Sequence, residues 1–220
     1  MGSVTQQPIA AGHYASHQRA PAFCLLVQQL HHRYANEVVG AFSLCPHMKD
    51  PHSAFGYFCV VLDEQLDIET AIAQVRAADG QMAHLVYPLV TVGSGDFERF
   101  GNKLHQQIAK RLPSPPVHAC FHPHMRGDRL TASRRVGLVR RAPDPFVQFV
   151  PDGLHQGGTS FLDPAKADLA ALFNNGPTVH HPSLADLSDS QLDALEAKLI
   201  AIRRDRDERY APFIAQLKNT

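Results

Sequence analysis

Two short stretches combine residue types that do chemistry. They are Cys45-Pro46-His47-Met48 and His122-Pro123-His124-Met125. Each sets two nitrogen or sulfur donors two residues apart around a proline. In extended backbone such residues point to the same side, so Cys45 with His47, and His122 with His124, form two candidate pincers. Thiolate plus neutral imidazole is a borderline-soft donor set, suited to zinc, iron or copper. Met48 and Met125 would tilt the choice toward copper if both faced inward. Two other chemistries use the same residues. Cys45 before Pro46 is a candidate axial thiolate for haem. Cys45 is also a candidate nucleophile with His122 as its base, with no metal at all. The bland reading is chance recurrence in a chain with 14 His, the rings then being loop residues bonded to backbone.

A second feature is basic. Arg126, Arg129, Arg134, Arg135, Arg140 and Arg141 fall in one stretch in which Asp128 is the only acid. Guanidinium forks bind carboxylate and phosphate, so Arg126 and Arg141 are candidates to hold an anionic substrate beside His122. A nucleic-acid patch is the competing reading, weakened because no aromatic residue stands between Arg126 and Arg141 to stack a base. For most of these arginines a solvated loop is the expectation. The remaining histidines read as structural or surface residues. No Walker sequence, GxGxxG after a strand, GxSxG or HExxH is present.

The elements that would position these groups follow from periodicity. Phe23, Leu26, Val27, Leu30, Tyr34, Val38 and Phe42 mark a helix over 22–42. Tyr57 to Leu62 is a continuous apolar run of strand length. Asp67 is a plausible cap for a helix carrying Ile68, Ala71, Ile72 and Val75. His84 to Val90 reads as a strand that Pro88 pushes to an edge or an early end. Ser94-Gly95-Asp96 opens a helix with the stripe Phe97, Phe100, Leu104, Ile108 and Leu112. Val117 to Phe121 and Phe146 to Val150 are further strands, separated by a long loop. Helical connections favour parallel neighbours. Asp163-Pro164 opens a helix that Asn174 to Pro177 stops. From Ser188 the stripe Leu192, Leu195, Leu199, Ile202 predicts a docking helix, with its charged side solvated and Pro212 kinking or ending it.

The expected fold is therefore α/β, or α+β. It is a single domain of about four strands with flanking helices and a C-terminal helical tail. Residues 1–20 read as a mobile leader, 21–160 as the core and 161–220 as a helical extension that packs on it or makes an oligomer contact. The 220 residues carry 21 Lys plus Arg against 21 Asp plus Glu. That balance argues against a protein whose whole surface binds nucleic acid or an acidic membrane. No apolar window is long enough to span a bilayer. Cys24, Cys45, Cys59 and Cys120 are too irregularly spaced for a disulfide framework, which favours a cytoplasmic setting. Cys24, Cys59 and Cys120 read as core.

Leu44-Cys45-Pro46 after a helix and Phe121-His122-Pro123 after a short strand resemble a bacterial family known only as domain of unknown function number 1415. The likeness extends over about residues 25–150. In that family a later block reads Asn-Arg-Ser-Pro-Tyr-Pro, followed by a His-containing strand. Here the block is Arg140-Arg141-Ala142-Pro143-Asp144-Pro145, and Gln148 stands at the His position. The resemblance implies that Cys45, His122 and Arg141 are shared polar positions and that the two Pro-containing loops meet. His47 and His124 stand where the family tends to aromatics. It implies no reaction. The expectation is a small-molecule enzyme, metal- or haem-dependent, acting on an anionic substrate. Its candidate groups are Cys45, His122 and Arg141 for catalysis, Arg126, Arg141 and Gln148 for substrate, and Cys45, His47, His122 and His124 for metal. A carrier or sensor, a metal-free Cys/His enzyme and an RNA-associated protein are the alternatives.

Overall fold

The structure, a computed structural model, describes residues 7–42, 56–151, 184 and 186–218. Among them a five-stranded mixed sheet lies between two layers of helices. The strands are β1 (Ile9–Ala11), β2 (Tyr57–Val61), β3 (Ala83–Val86), β4 (Val117–Phe121) and β5 (Phe146–Val150). The helices are α1 (Ala20–Tyr34), continued by a π-helical turn over Ala35–Gly40, α2 (Ile68–Ala77), α3 (Ser94–Ala109), α4 (Ala132–Val139) and α5 (Asp189–Lys218).

Strand order is β1-β2-β3-β5-β4. β1, β2 and β3 run parallel, whereas β5 is antiparallel to both β3 and β4. The expectation of parallel neighbours holds for the first half only. Because β5 reverses between them, β4 points the same way as β3. The loops leaving β3 and β4 and the segment entering β5 therefore share one edge of the sheet.

The continuous apolar run of β2 is explained by burial on both faces. Phe58, Val60 and Leu62 enter the layer of α1 and α5. Tyr57, Cys59 and Val61 enter the layer of α2 and α3. α2 begins where its cap was expected, with Thr70 N–H donating to Asp67 Oδ2 at 2.6 Å. The stripe of α5 (Leu192, Leu195, Leu199, Ile202) is buried against α1 and the sheet, and so are Tyr210 and Leu217. That stripe is taken up by the chain's own core and is not open to a second copy. No helix among the described residues is long and apolar enough to cross a membrane.

Four expectations are corrected. Residues 7–20 are not a leader, because Ile9–Ala11 pairs along β2 from Ile9↔Cys59 to Ala11↔Val61. The strand expected over His84 to Val90 is Ala83–Val86, with the early end that Pro88 suggested but not at a sheet edge. The loop between β4 and β5 contains α4, whose Thr131 hydroxyl accepts from Arg134 N–H at 3.3 Å. Pro212 lies inside α5 and does not end it. The helix expected from Asp163 lies outside the described residues.

Tyr87 offers a stability test. It is fully buried against Phe97 and Phe100, and its hydroxyl has no hydrogen-bond partner among the described residues. A buried orphan hydroxyl costs about 1–3 kcal/mol. Tyr87→Phe is therefore expected to raise stability by about 1 kcal/mol in urea unfolding, and a loss of stability would show that the hydroxyl is satisfied.

Candidate functional site

β4 delivers Phe121 flat against Phe146 of β5, ring centroids 4.2 Å apart at 6°. The chain then turns. His122 N–H donates to Arg140 O at 3.0 Å, and Met125 N–H donates back to His122 O at 3.0 Å. The His122 ring is buried and both its nitrogens are engaged. Nδ1 lies 3.0 Å from the His124 N–H, so it accepts. Nε2 lies 3.0 Å from the Val92 carbonyl, which only accepts, so Nε2 carries the proton. Neighbouring groups therefore set the neutral Nε2–H tautomer. Burial first, then His124 and Arg203, hold its pKa below the usual histidine value, against the pull of the Val92 carbonyl.

The far side of the same loop is held by Arg141. Its Nε donates to Met125 O at 3.2 Å and its Nη2 to Gly127 O at 3.0 Å. Gly127 lies directly against Gly137 of α4, the backbones touching where side chains would stand. α4 is in turn tied to α1 by the Tyr34 hydroxyl, which donates to Val139 O.

A cleft of about 400 Å³ opens at this edge of the sheet. Its walls are Pro88 to Val92 after β3, His122-Pro123-His124 after β4, Pro143 and Pro145 before β5, and Arg203, Arg206 and Ile214 of α5. In open α/β sheets such ends of strands are where ligands bind. Beneath it lies Asp144, fully buried. Its Oδ2 accepts from the Tyr210 hydroxyl at 2.8 Å and pairs with His31 Nε2 at 3.2 Å. Its Oδ1 accepts from Arg206 Nε at 3.0 Å. Burial alone would raise the Asp144 pKa, but His31, Arg206 and Tyr210 outweigh it and hold the carboxyl below its usual value. Arg206 also donates to Pro88 O at 2.9 Å and to Asp207 at 2.9 Å, which fixes its plane. Arg203 donates to Pro123 O. No carboxylate lies within ion-pair distance of it among the described residues. Burial, with Arg141 and Arg206 nearby, pushes its pKa down despite Asp207.

The expected site residues are placed unequally. Cys45 and His47 lie outside the described residues, so neither the Cys45–His122 pair nor the meeting of the two loops is described. His124 is exposed at the cleft rim, its ring centroid 5.8 Å from that of His122. These two do not make a pincer as arranged, because both His122 nitrogens are already committed. Among the described residues no group of three or more His, Cys, Asp or Glu side chains is placed to hold a metal ion. Arg141 flanks the cleft but is bonded to backbone, and Arg126 is exposed outside it. Gln148 lies mid-strand, its Nε2 donating to His84 Nε2 at 3.1 Å, away from the cleft.

Most of the other arginines of the basic stretch serve as ties. Arg129 pairs with Asp193 at 2.7 Å and Glu196 at 2.6 Å on α5. Arg135 donates to Leu184 O and Leu187 O at 3.0 and 3.2 Å. Arg134 pairs with Asp128. Cys24, Cys59 and Cys120 are buried free thiols, each pushed up to about 12 by burial. The cleft residues that sequence reasoning missed are Asp144, Arg203 and Arg206. The arginines stood in a stripe read as solvated. The one available signal for Asp144 was an acid locked between Pro143 and Pro145.

Compared with known proteins, the chain matches no family model, no curated protein and no solved structure.

Histidine burial also predicts a pH dependence. His118 stacks on His105, centroids 4.5 Å apart, and burial plus that neighbour lower its pKa to about 4. His122 is lowered as well. Both are held neutral in the fold while the unfolded chain takes protons below about pH 6.5. Stability is then full above about pH 6.5 and falls as the pH drops toward 4. His118→Gln is expected to flatten that fall, by about 1–2 kcal/mol at pH 4 once partial exposure is discounted. Urea midpoints measured from pH 7 to 4 test it; an unchanged slope would remove His118 as its source.

Proposed function

We propose that the protein binds a small anionic molecule in the cleft at the ends of β3 and β4. One observation carries this reading. Arg203 is a partly buried cation with no carboxylate partner among the described residues, set against the edge where α/β sheets place ligands. A buried charge without a partner is costly, and an anionic ligand would supply the missing one. Arg141, a shared position in the resemblance to family number 1415, stands close enough to depress Arg203 further. His124 at the rim adds an imidazole as a hydrogen-bonding partner for the bound molecule. The buried free thiols fit a reducing, cytoplasmic setting.

The test is calorimetric titration of the full chain with sulfate, phosphate and citrate. Arg203→Ala is expected to weaken binding about 10- to 100-fold, the worth of one charge-assisted hydrogen bond. Its folding should hardly change, because losing the bond to Pro123 is offset by relief from Arg141 and Arg206. Undiminished binding in that variant, or none in the parent, would remove the reading.

A further inference from the structure

Building on the anion-binding reading, we propose that the ligand class is an apolar monocarboxylate, with its head on Arg203 and its tail along the wall of prolines. Two observations point there independently of each other. The first is charge. Arg206 is matched by the buried carboxylate of Asp144 at 3.0 Å and by Asp207 at 2.9 Å. Arg203 is the other cation lining the cleft, Arg141 stands just beside it, and His122 is neutral, with Nε2 donating and Nδ1 accepting. Three guanidinium groups against two carboxylates leave one positive charge. A single negative charge balances it, whereas a phosphate dianion or a polyphosphate overshoots. Arg141 cannot easily turn to add a second anchor, because its Nε and Nη2 hold Met125 O and Gly127 O. A planar two-oxygen carboxylate suits the fork of one guanidinium.

The second observation is the wall. Pro88, Leu89, Val90, Pro143 and Pro145 are buried and line the cleft, with Ile214 of α5 half-buried opposite. Three of the six are prolines, whose fixed φ keeps the wall in shape before any ligand arrives. An inorganic anion would leave this surface wet, while an alkyl or aryl tail covers it. The cleft's volume of about 400 Å³ sits at the small end for ligand sites, which limits the tail to a short one.

The experiment uses the full chain and calorimetric titration with acetate, butyrate, hexanoate, inorganic phosphate and citrate, plus hexylamine as a cationic control. Affinity is expected to rise about fourfold per added methylene until the cleft is full, since each buried methylene contributes about that factor. Hexanoate should exceed phosphate and citrate, and hexylamine should not bind. Arg203→Gln should weaken binding across the series about 10- to 100-fold. Ile214→Ser should flatten the chain-length dependence. Arg203-dependent binding of phosphate or citrate that exceeds hexanoate, or affinity independent of chain length, would overturn the monocarboxylate assignment and leave the anion-binding reading standing. Absence of any Arg203-dependent binding would overturn both.

Discussion

Replacing Asp144 by alanine is expected to cost about 3–5 kcal/mol, enough to unfold many domains of this size at 37 °C. Asp144 is fully buried and serves three donors on two elements: His31 of α1, and Arg206 and Tyr210 of α5. Alanine leaves Arg206, which is mostly buried, and the two buried side chains without their acceptor. The penalty is the desolvation of those groups, not the net worth of the ion pair. Asp144→Asn separates charge from shape. It keeps an acceptor for Arg206 and is expected to cost about half as much. The acid limb should move too. The Asp144 carboxyl is held below its unfolded value, so its contribution is present above about pH 4 and lost as the pH falls through the lower native value. Urea unfolding of the parent and the two variants from pH 7 to pH 2 checks all of this. A shift below about 1 kcal/mol for the alanine variant at pH 7 would mean that the network does not hold α5 to the sheet.

Gly137→Ala is the second large effect, expected to cost about 3 kcal/mol. A Cβ at this position would run into the carbonyl of Arg126 and stand 2.7 Å from Gly127 Cα. Both obstacles are backbone, so no rotamer change relieves the clash. Relief requires α4 and the His122–Gly127 loop to separate. That motion loosens the bonds from Arg141 to Met125 O and Gly127 O, and with them the loop that carries His122 and Pro123 into the cleft. The variant should therefore lose anion affinity as well as stability, whereas Gly80→Ala should lose only stability: its positive φ is strained for alanine although nothing stands near the added Cβ, and it lies far from the cleft. Equal anion affinity in Gly137→Ala and the parent would show that the loop does not depend on this contact.

Much of the fold was legible because its elements state their burial locally. α2 and α3 carry apolar stripes at helical spacing. β2 is apolar throughout, as a strand covered on both faces must be. The stripe from Leu192 to Ile202 announced a docking helix, and α5 docks. β1 escaped because three residues with two alanines carry no period, and its pairing is made by β2. α4 escaped because eight residues with two adjacent arginines and a glycine look like loop until Leu138 finds the core. The direction of β5 was open because side-chain pattern does not encode which way a strand's hydrogen bonds run.

The candidate site divides in the same way. By itself the sequence determined the inventory: a Pro-anchored His122 loop at a strand end, a run of arginines, cysteines suited to a core, and a neutral total charge. Tertiary structure decided what each member does. Arg129 looks unopposed until α5 brings Asp193 and Glu196 to it. His122 looks like a ligand or base until the Val92 carbonyl and the His124 N–H take its two nitrogens. Arg203 looks solvated until it faces Pro123 with no carboxylate within ion-pair distance among the described residues. The physical reason is common to all three. Burial and hydrogen-bond partners set the state of a polar group, and most of the deciding partners stand many residues away along the chain, so only the fold brings them to it.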